Sequence, residues 1–416
     1  MAEVDREALI HDWNLAGPTA PVKPPQKIEF DDETLRDGLQ SPSVKNPSIE
    51  EKIEILHLME SLGVDSADVG LPGAGPKARE HVSLLCREIA RNRLRITPNC
   101  AARTLEADIA PIAEVQQKEG IPVEACLFIG SSPIRLYAED WTVDRLLEHT
   151  EKAIGFAVKQ GLSVMYVTED TTRSRPDTLK KLYTAAVHAG AKRVCLCDTV
   201  GHAIPSGARH LVSFMRNHLR EIGAPQVKVD WHGHMDRGLG VINTIAAIEA
   251  GADRVHGCAL GIGERVGNTP LDVLLVNLRL LGWIDNDLRR LTEYCEKVSR
   301  AVGVPIPGQY PVVGRDAFET ATGVHAAAVI KALRKGDPWL ADRVYSGVPA
   351  GDFGREQNIR IGPMSGRSNI LFWLEHRGVK SDDAMVDRIF QAAKQSDRLL
   401  EDREVMDLVG AGPARA

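Results

Sequence analysis

Two histidines close the stretch VKVDWHGHMDRGLG (227–240), at positions 232 and 234. Ahead of them Val227, Val229 and Trp231 alternate with Lys228, Asp230 and His232. That period of two predicts a β-strand, in which residues i and i+2 point to the same side. His232 and His234 can then converge on one ion, provided the strand persists to that point. An H-x-H pair alone is weak evidence of a ligand set. Its meaning depends on which other donors reach the same place.

The surrounding elements supply that place. From residue 27 to about 283, short apolar runs alternate with amphipathic stretches. The runs 27–32, 64–70, 94–99, 123–130, 162–168, 192–198, 227–234 and 253–260 read as strands. Helical stretches follow, among them 49–62, 142–160, 177–189, 204–221, 239–250 and 270–282. Ser48 and Glu51 form a capping-box signature for the first, and several others end at glycine. Eight β–α alternations predict an α/β fold, a (β/α)₈ TIM barrel, with a doubly wound open sheet as the alternative. The proline-rich 1–26 reads as an N-terminal arm, 27–284 as the catalytic barrel, and 285–416 as a smaller, mainly helical C-terminal appendage. Within the appendage, 285–302 and 382–408 read as helical.

Composition narrows the function classes. The chain has 416 residues, 43% hydrophobic and 26% charged, with a formal net charge of −6, which describes a soluble globular protein. Neither a basic face nor a basic tail stands out, so nucleic acid and membrane surfaces are not expected partners. No window approaches the ~18 uninterrupted apolar residues of a transmembrane helix. The segment MAEVDREALIHDWNLAG lacks the apolar core of a signal peptide. Seven scattered cysteines suit a reducing cytoplasm better than a disulfide framework. Cys195 and Cys197 read as two small residues on one side of a strand, since no second pair accompanies them.

In a (β/α)₈ barrel the chemistry sits where strands run out into the following loops. The first strand leads to Arg36, Asp37 and Gln40, and the fifth to Glu169, Asp170 and Arg173. The sixth ends in Asp198, Thr199 and His202, the seventh in the two histidines, and the eighth leads through Cys258 to Glu264, Arg265 and Asn268. Asp37, His232 and His234, with Asn268 near by, make a mixed nitrogen and oxygen set suited to Mg²⁺, Mn²⁺, Co²⁺ or Zn²⁺, with room for a chelating substrate. Arg36 beside such an ion would stabilise an enolate or carboxylate oxygen.

Together these motifs resemble the DRE-TIM metallolyase superfamily, and within it the acyl-CoA condensing 2-isopropylmalate, homocitrate and citramalate synthases. DETLRDGLQSP (32–42) looks like the superfamily's D-x-T-L-R-D-G-x-Q, and HGHMD (232–236) like its H-x-H-N-D. DTVG (198–201) and GIGERVGN (261–268) match synthase loops, while TGVH (322–325) and GPMSGRSNI (362–370) resemble S-G-I-H and G-K-H-S-G-R. The resemblance covers about residues 27–375, in order.

The resemblance implies a divalent metal held by Asp37, His232 and His234, with Asn268 as a further ligand or supporting partner. It implies acyl-CoA, acetyl-CoA first, as co-substrate and a 2-oxo acid as acceptor. Thr199 contacts the acceptor carboxylate, and Gln40, Arg173 and Arg135 join it as expected substrate contacts. Arg36 polarises the ketone, and Glu169 acts with a His–Tyr pair, here His325 and Tyr345, that a neighbouring subunit donates. A homodimer or larger homo-oligomer follows. Several positions depart from the pattern: Met235, the alanines after His325, Asp68 and Leu71 in DVGLPGAG (68–75), and Arg135 where many relatives carry histidine. These line the region expected to hold the substrate's side chain, so the choice of 2-oxo acid stays open. Alternative readings are homocitrate or citramalate synthesis, a carbon–carbon lyase like HMG-CoA lyase using Cys258, and a metal-bound barrel that only binds.

Overall fold

The protein is seen here as a computed structural model that describes residues 6–17 and 20–410. The chain divides into two compact units, Met1–Asn286 with Lys297–Val304, and Asp287–Glu296 with Pro305–Ala416.

Eight parallel strands close a barrel in chain order. They are β1 (Glu29–Asp32), β2 (Ser66–Asp68), β3 (Thr97–Arg103), β4 (Glu124–Gly130), β5 (Ser163–Glu169), β6 (Arg193–Asp198), β7 (Lys228–Gly233) and β8 (Arg254–Gly257). Closure is set by β1, whose Asp31 lies opposite both Ser66 of β2 and His256 of β8. The expected (β/α)₈ barrel is the fold. Its helices are α1 (Ile49–Ser61), α2 (Pro76–Asn92), α3 (Glu106–Glu119), α4 (Pro133–Glu139), α5 (Val143–Lys159), α6 (Pro176–Ala189), α7 (Pro205–Glu221), α8 (Gly240–Glu249) and α9 (Leu271–Leu280).

Local chemistry explains the helix ends. The Ser48 side chain accepts from Glu51 N while Glu51 accepts from Ser48 N, the reciprocal box that fixes the start of α1. Proline opens α2, α4, α6 and α7, where a missing N–H costs nothing. Gly190 ends α6 at φ 114°, a left-handed turn that a side chain would resist.

Strand bounds shift where neighbours outweigh local sequence. The third strand was expected at 94–99, yet β3 runs Thr97–Arg103. Pro98 suggests an end to a strand, but β4 pairs with Asn99 through Arg103 and carries the strand on. The eighth stops at Gly257, because Ala259–Gly261 folds into a 3-10 turn around Leu260 at φ 57°.

Aliphatic side chains pack outside the strands against the helices, whereas the barrel's interior carries a charged network beside an apolar cluster of Cys126, Met165, Cys195 and Cys197. Arg254 reaches Asp230 and Glu124 at 2.6 Å each, and Arg193 reaches Asp230 at 2.7 Å and Glu29 at 2.6 Å. Removing one member of such a buried network leaves an unpaired charge, at a cost of about 3–5 kcal/mol.

A further helix, α10 (Leu291–Val302), is shared between the two units. The second unit holds β9 (Glu319–Thr320) paired in parallel with β10 (Asn358–Ile359). Around this pair come α11 (Gly323–Arg334), α12 (Pro338–Arg343), α13 (Arg367–His376), α14 (Asp383–Gln395) and α15 (Asp402–Gly410). Ile370, Trp373, Leu374, Val386 and Ile389 form its core. The helical stretch expected at 382–408 is two helices, because Ser396 caps a turn by accepting from Arg398 N. Among the described residues no helix is long and apolar enough to cross a membrane.

Candidate functional site

The period of two that makes the strands also aims their side chains. Inward positions come as Asp31 and Glu33 from β1 and its exit, Asn99 and Ala101 from β3, and Cys126 and Phe128 from β4. Met165, Val167 and Glu169 come from β5, Cys195 and Cys197 from β6, and His232 and His234 from β7 and its exit. They line a cavity of about 520 Å³, together with Arg36, Asp37, Gln40, Asp68, Thr199, His256 and Glu264.

The opening H-x-H is settled by distance. His232 Nε2 stands 3.0 Å from His234 Nε2, and Asp37 Oδ2 lies 3.9 Å from each. One ligand atom from each of the three falls within 4.8 Å of the others. Two imidazole nitrogens facing each other in a buried site need a proton or a cation between them. Burial disfavours the proton on His234, whose pKa is lowered to about 4 by burial first and then by His232. Nδ1 of His234 is buried without a hydrogen-bond partner. Two nitrogens and a carboxylate so arranged fit a divalent cation of the Mg²⁺, Mn²⁺ or Zn²⁺ type.

Charges around this set are tightly tied. Arg36 donates from Nε to Asp68 and from NH1 to Asp37, each at 2.6 Å. Burial would raise the Asp37 pKa, but Arg36 brings it below the ordinary carboxylate value. Asp68 goes the other way, raised to about 7, because its burial outweighs the pull of Arg36. His232 is raised to about 9: burial opposes its charge, and the Glu33 carboxylate 2.8 Å from Nδ1 overrides burial.

Asn268 donates from Nδ2 to Asp37 Oδ2 at 2.6 Å, which makes it a supporting partner of the carboxylate. Its Oδ1 is buried without a partner, 2.2 Å from where a Cβ on Gly263 would stand. With φ at 157°, Gly263 cannot be replaced without strain.

The remaining expected residues divide. Glu169, Thr199 and Gln40 line the cavity. Burial raises the Glu169 pKa, partly opposed by Arg135 at 3.5 Å. Thr199 accepts from Asp170 N at 2.8 Å. Arg135 lies in an adjoining cavity of about 430 Å³ that shares Phe128 and Glu169 with the first. Arg173 is not brought in: its guanidinium grips both oxygens of Asp170 at 2.7 Å, bracing the turn that follows Glu169. In the second unit His325 and Tyr345 stack with ring centroids 4.0 Å apart, with Tyr345 half exposed. Sequence reading overlooked Glu33 and His256, although counting by two along β1 and β8 places both on the inward face.

The sequence profile described as HMGL-like matches residues 27–298. The chain belongs to the HMGL-like family. It is thereby a member of the DRE-TIM superfamily, as the motifs implied. A protein described as "Probable 2-isopropylmalate synthase" of Methanopyrus kandleri is 33% identical over 375 residues, 89% of this chain and 70% of the relative. Homocitrate synthase AksA of the same organism is 32% identical over 373 residues, 89% of this chain and 88% of that one. Hydroxymethylglutaryl-CoA lyase from Pseudomonas aeruginosa superposes with a TM-score of 0.56 at 19% identity, covering 67% of this chain and 94% of that one. The last likeness speaks to the fold. With synthases as its curated relatives, this HMGL-like chain is an enzyme.

Proposed function

We infer that the protein condenses an acyl-CoA, acetyl-CoA first, with a 2-oxo acid and then hydrolyses the thioester. Asp37, His232 and His234 would hold a divalent cation, which when bound supplies Lewis acidity toward the ketone and carboxylate oxygens of the 2-oxo acid. Thr199 and Gln40, which both line the cavity, orient the acceptor carboxylate.

Arg36 stabilises the alkoxide that forms when the ketone is attacked. Asp37 and Asp68 hold its Nε and NH1, while NH2 stands 4.0 Å from Glu33, beyond hydrogen-bond range and available to substrate. Glu169 is the base that takes a proton from the acyl methyl group, and its raised pKa brings it closer to the working pH. His325 and Tyr345, presented together on the second unit, complete the proton path of a neighbouring subunit's site in a homodimer or larger assembly. The new carbon–carbon bond joins the acyl methyl carbon to the ketone carbon. Water then displaces the CoA thiol, and that release makes the reaction effectively irreversible.

The observation that carries the reading is the Asp37–His232–His234 set with Arg36 on its carboxylate. It lies in a cavity whose β3–β6 side is lined by Ala101, Cys126, Met165, Val167, Cys195 and Cys197 and whose other side carries Asp31 and Asp68. The β3–β6 side is apolar and soft, which supports an acceptor with an apolar side chain and a 2-isopropylmalate synthase-like activity over homocitrate synthesis. Cleavage through Cys258 is disfavoured, since that thiol is fully buried and its pKa is raised by burial. Seven buried cysteines, none of them in a disulfide, support a cytoplasmic setting.

The test is thiol release from acetyl-CoA by Mg²⁺- or Mn²⁺-loaded protein against 2-oxoisovalerate, 2-oxoglutarate, pyruvate, oxaloacetate and bulkier 2-oxo acids. Release dependent on an apolar acceptor supports the reading. Release only with 2-oxoglutarate overturns the acceptor assignment, and no release with any acceptor overturns condensation from acetyl-CoA.

A further inference from the structure

Glu33 and His256 lie beneath the metal ligands and are not accounted for by the reaction. Glu33 Oε2 is 2.8 Å from His232 Nδ1, and Glu33 Oε1 is 2.9 Å from His256 Nδ1. His256 Nε2 is 2.9 Å from Asp230 Oδ2, which Arg254 also holds, while Arg193 holds Asp230 Oδ1. Glu33, Asp230 and His256 are each at most 3% exposed.

Glu33, His232 and His256 also have the composition of a second two-histidine, one-carboxylate cation set. Their spacing favours a different role. Each imidazole Nδ1 faces its own oxygen of one carboxylate at hydrogen-bond distance. His256 has carboxylates at both ring nitrogens, so both carry protons and neither has a lone pair to give. The result is a column of alternating charge inside the barrel, two arginines, Asp230, His256 and Glu33, against which the His232 ring rests.

We propose that Glu33 is a positioning residue for the metal centre, accepting the Nδ1 proton of His232 and so presenting the bare Nε2 of that ring to His234 and Asp37. A neutral imidazole has one N–H and one lone pair, and whichever nitrogen is held as donor decides which one can ligate. Only an acceptor below His232 gives the tautomer that points its lone pair at the site. Because His256 holds the other oxygen of Glu33 and Asp230 holds His256, the column fixes the orientation of the His232 ring before any ion arrives, and the cation takes the place of any proton on Nε2. Glutamine at position 33 has one acceptor and one donor, so it cannot accept from both imidazoles at once.

This rests on Asp37, His232 and His234 being the metal ligands, and the two ideas can fail separately. Mn²⁺ binding to metal-free wild type, Glu33→Gln and Glu33→Asp is followed by the loss of the free-ion electron paramagnetic signal. Thermal unfolding of each apoprotein reports the fold. The expected result is Mn²⁺ affinity about 10- to 100-fold weaker in both variants. Equal affinity overturns the role of Glu33 alone, while no binding by wild type overturns the metal reading and this proposal with it. A measurement on wild type removes dependence on the variants folding. In Zn²⁺-loaded protein with ¹⁵N-labelled histidine, His232 is expected to show a protonated Nδ1 and a metal-shifted Nε2. Ligation through Nδ1 overturns the proposal.

Discussion

His232 Nε2 faces His234 Nε2 across 3.0 Å, with His232 raised to about 9 and His234 lowered to about 4. Two adjacent imidazoles on one strand edge therefore differ in charge preference, because Glu33 supports one and burial isolates the other. A cation between them removes the conflict.

Metal should stabilise the fold. Metal-free protein given Mn²⁺ at a hundred times its dissociation constant is expected to gain about 2.7 kcal/mol. For a domain of this size that is a rise of at least a few degrees in the unfolding midpoint, roughly 2–4 °C per kcal/mol or somewhat less. Differential scanning fluorimetry across a Mn²⁺ titration reads it. His234→Ala should abolish the shift, and a shift that survives in that variant would place the ion elsewhere.

Arg36→Lys is expected to be severe despite keeping the charge. One ammonium cannot span Asp37 and Asp68 and still point a donor at substrate, as the guanidinium does. We expect kcat to fall by about 10²–10³, with KM for the 2-oxo acid changed less. A loss confined to KM would assign Arg36 to binding.

The acid side of the pH profile should belong to Glu169. Its pKa is raised by burial, and a base acts as the carboxylate, so kcat/KM falls as pH drops through that raised value. Arg135 pulls in the opposite direction, so Arg135→Gln should raise the pKa further and move the acid limb to higher pH. An acid limb unmoved by Arg135→Gln would assign the titration to another group. Glu169→Gln should cost roughly 10²–10⁴ in rate.

Subunit complementation tests the placement of His325 and Tyr345. Asp37→Asn and His325→Ala homo-oligomers should each be inactive. If sites are shared between subunits, mixing and refolding them in equal amounts should restore about a quarter of wild-type activity, since half the dimers are mixed and each holds one intact site. No recovery on mixing would confine each site to one chain.

The strands and their inward faces were legible because a period of two survives in VKVDWHGH, SVMYVTE and RVCLCD whatever lies beside them. Reading the loops after each strand placed Asp37, Glu169, Thr199 and both histidines on one rim, and all five line one cavity. Arg173 was less legible: its position beside Glu169 was right, but its two-point grip on Asp170 depends on how the loop turns at Asp170, at φ 60°.

What the sequence determined by itself is the barrel and the donor types at its mouth, since both rest on local periodicity and residue chemistry. What only the tertiary structure decided is which charges meet. Glu33 and His256 are 223 positions apart, and they touch because closure of the barrel sets β1 against β8 in one register. Their contact, and the tautomer it imposes on His232, come from through-space geometry that no local pattern encodes.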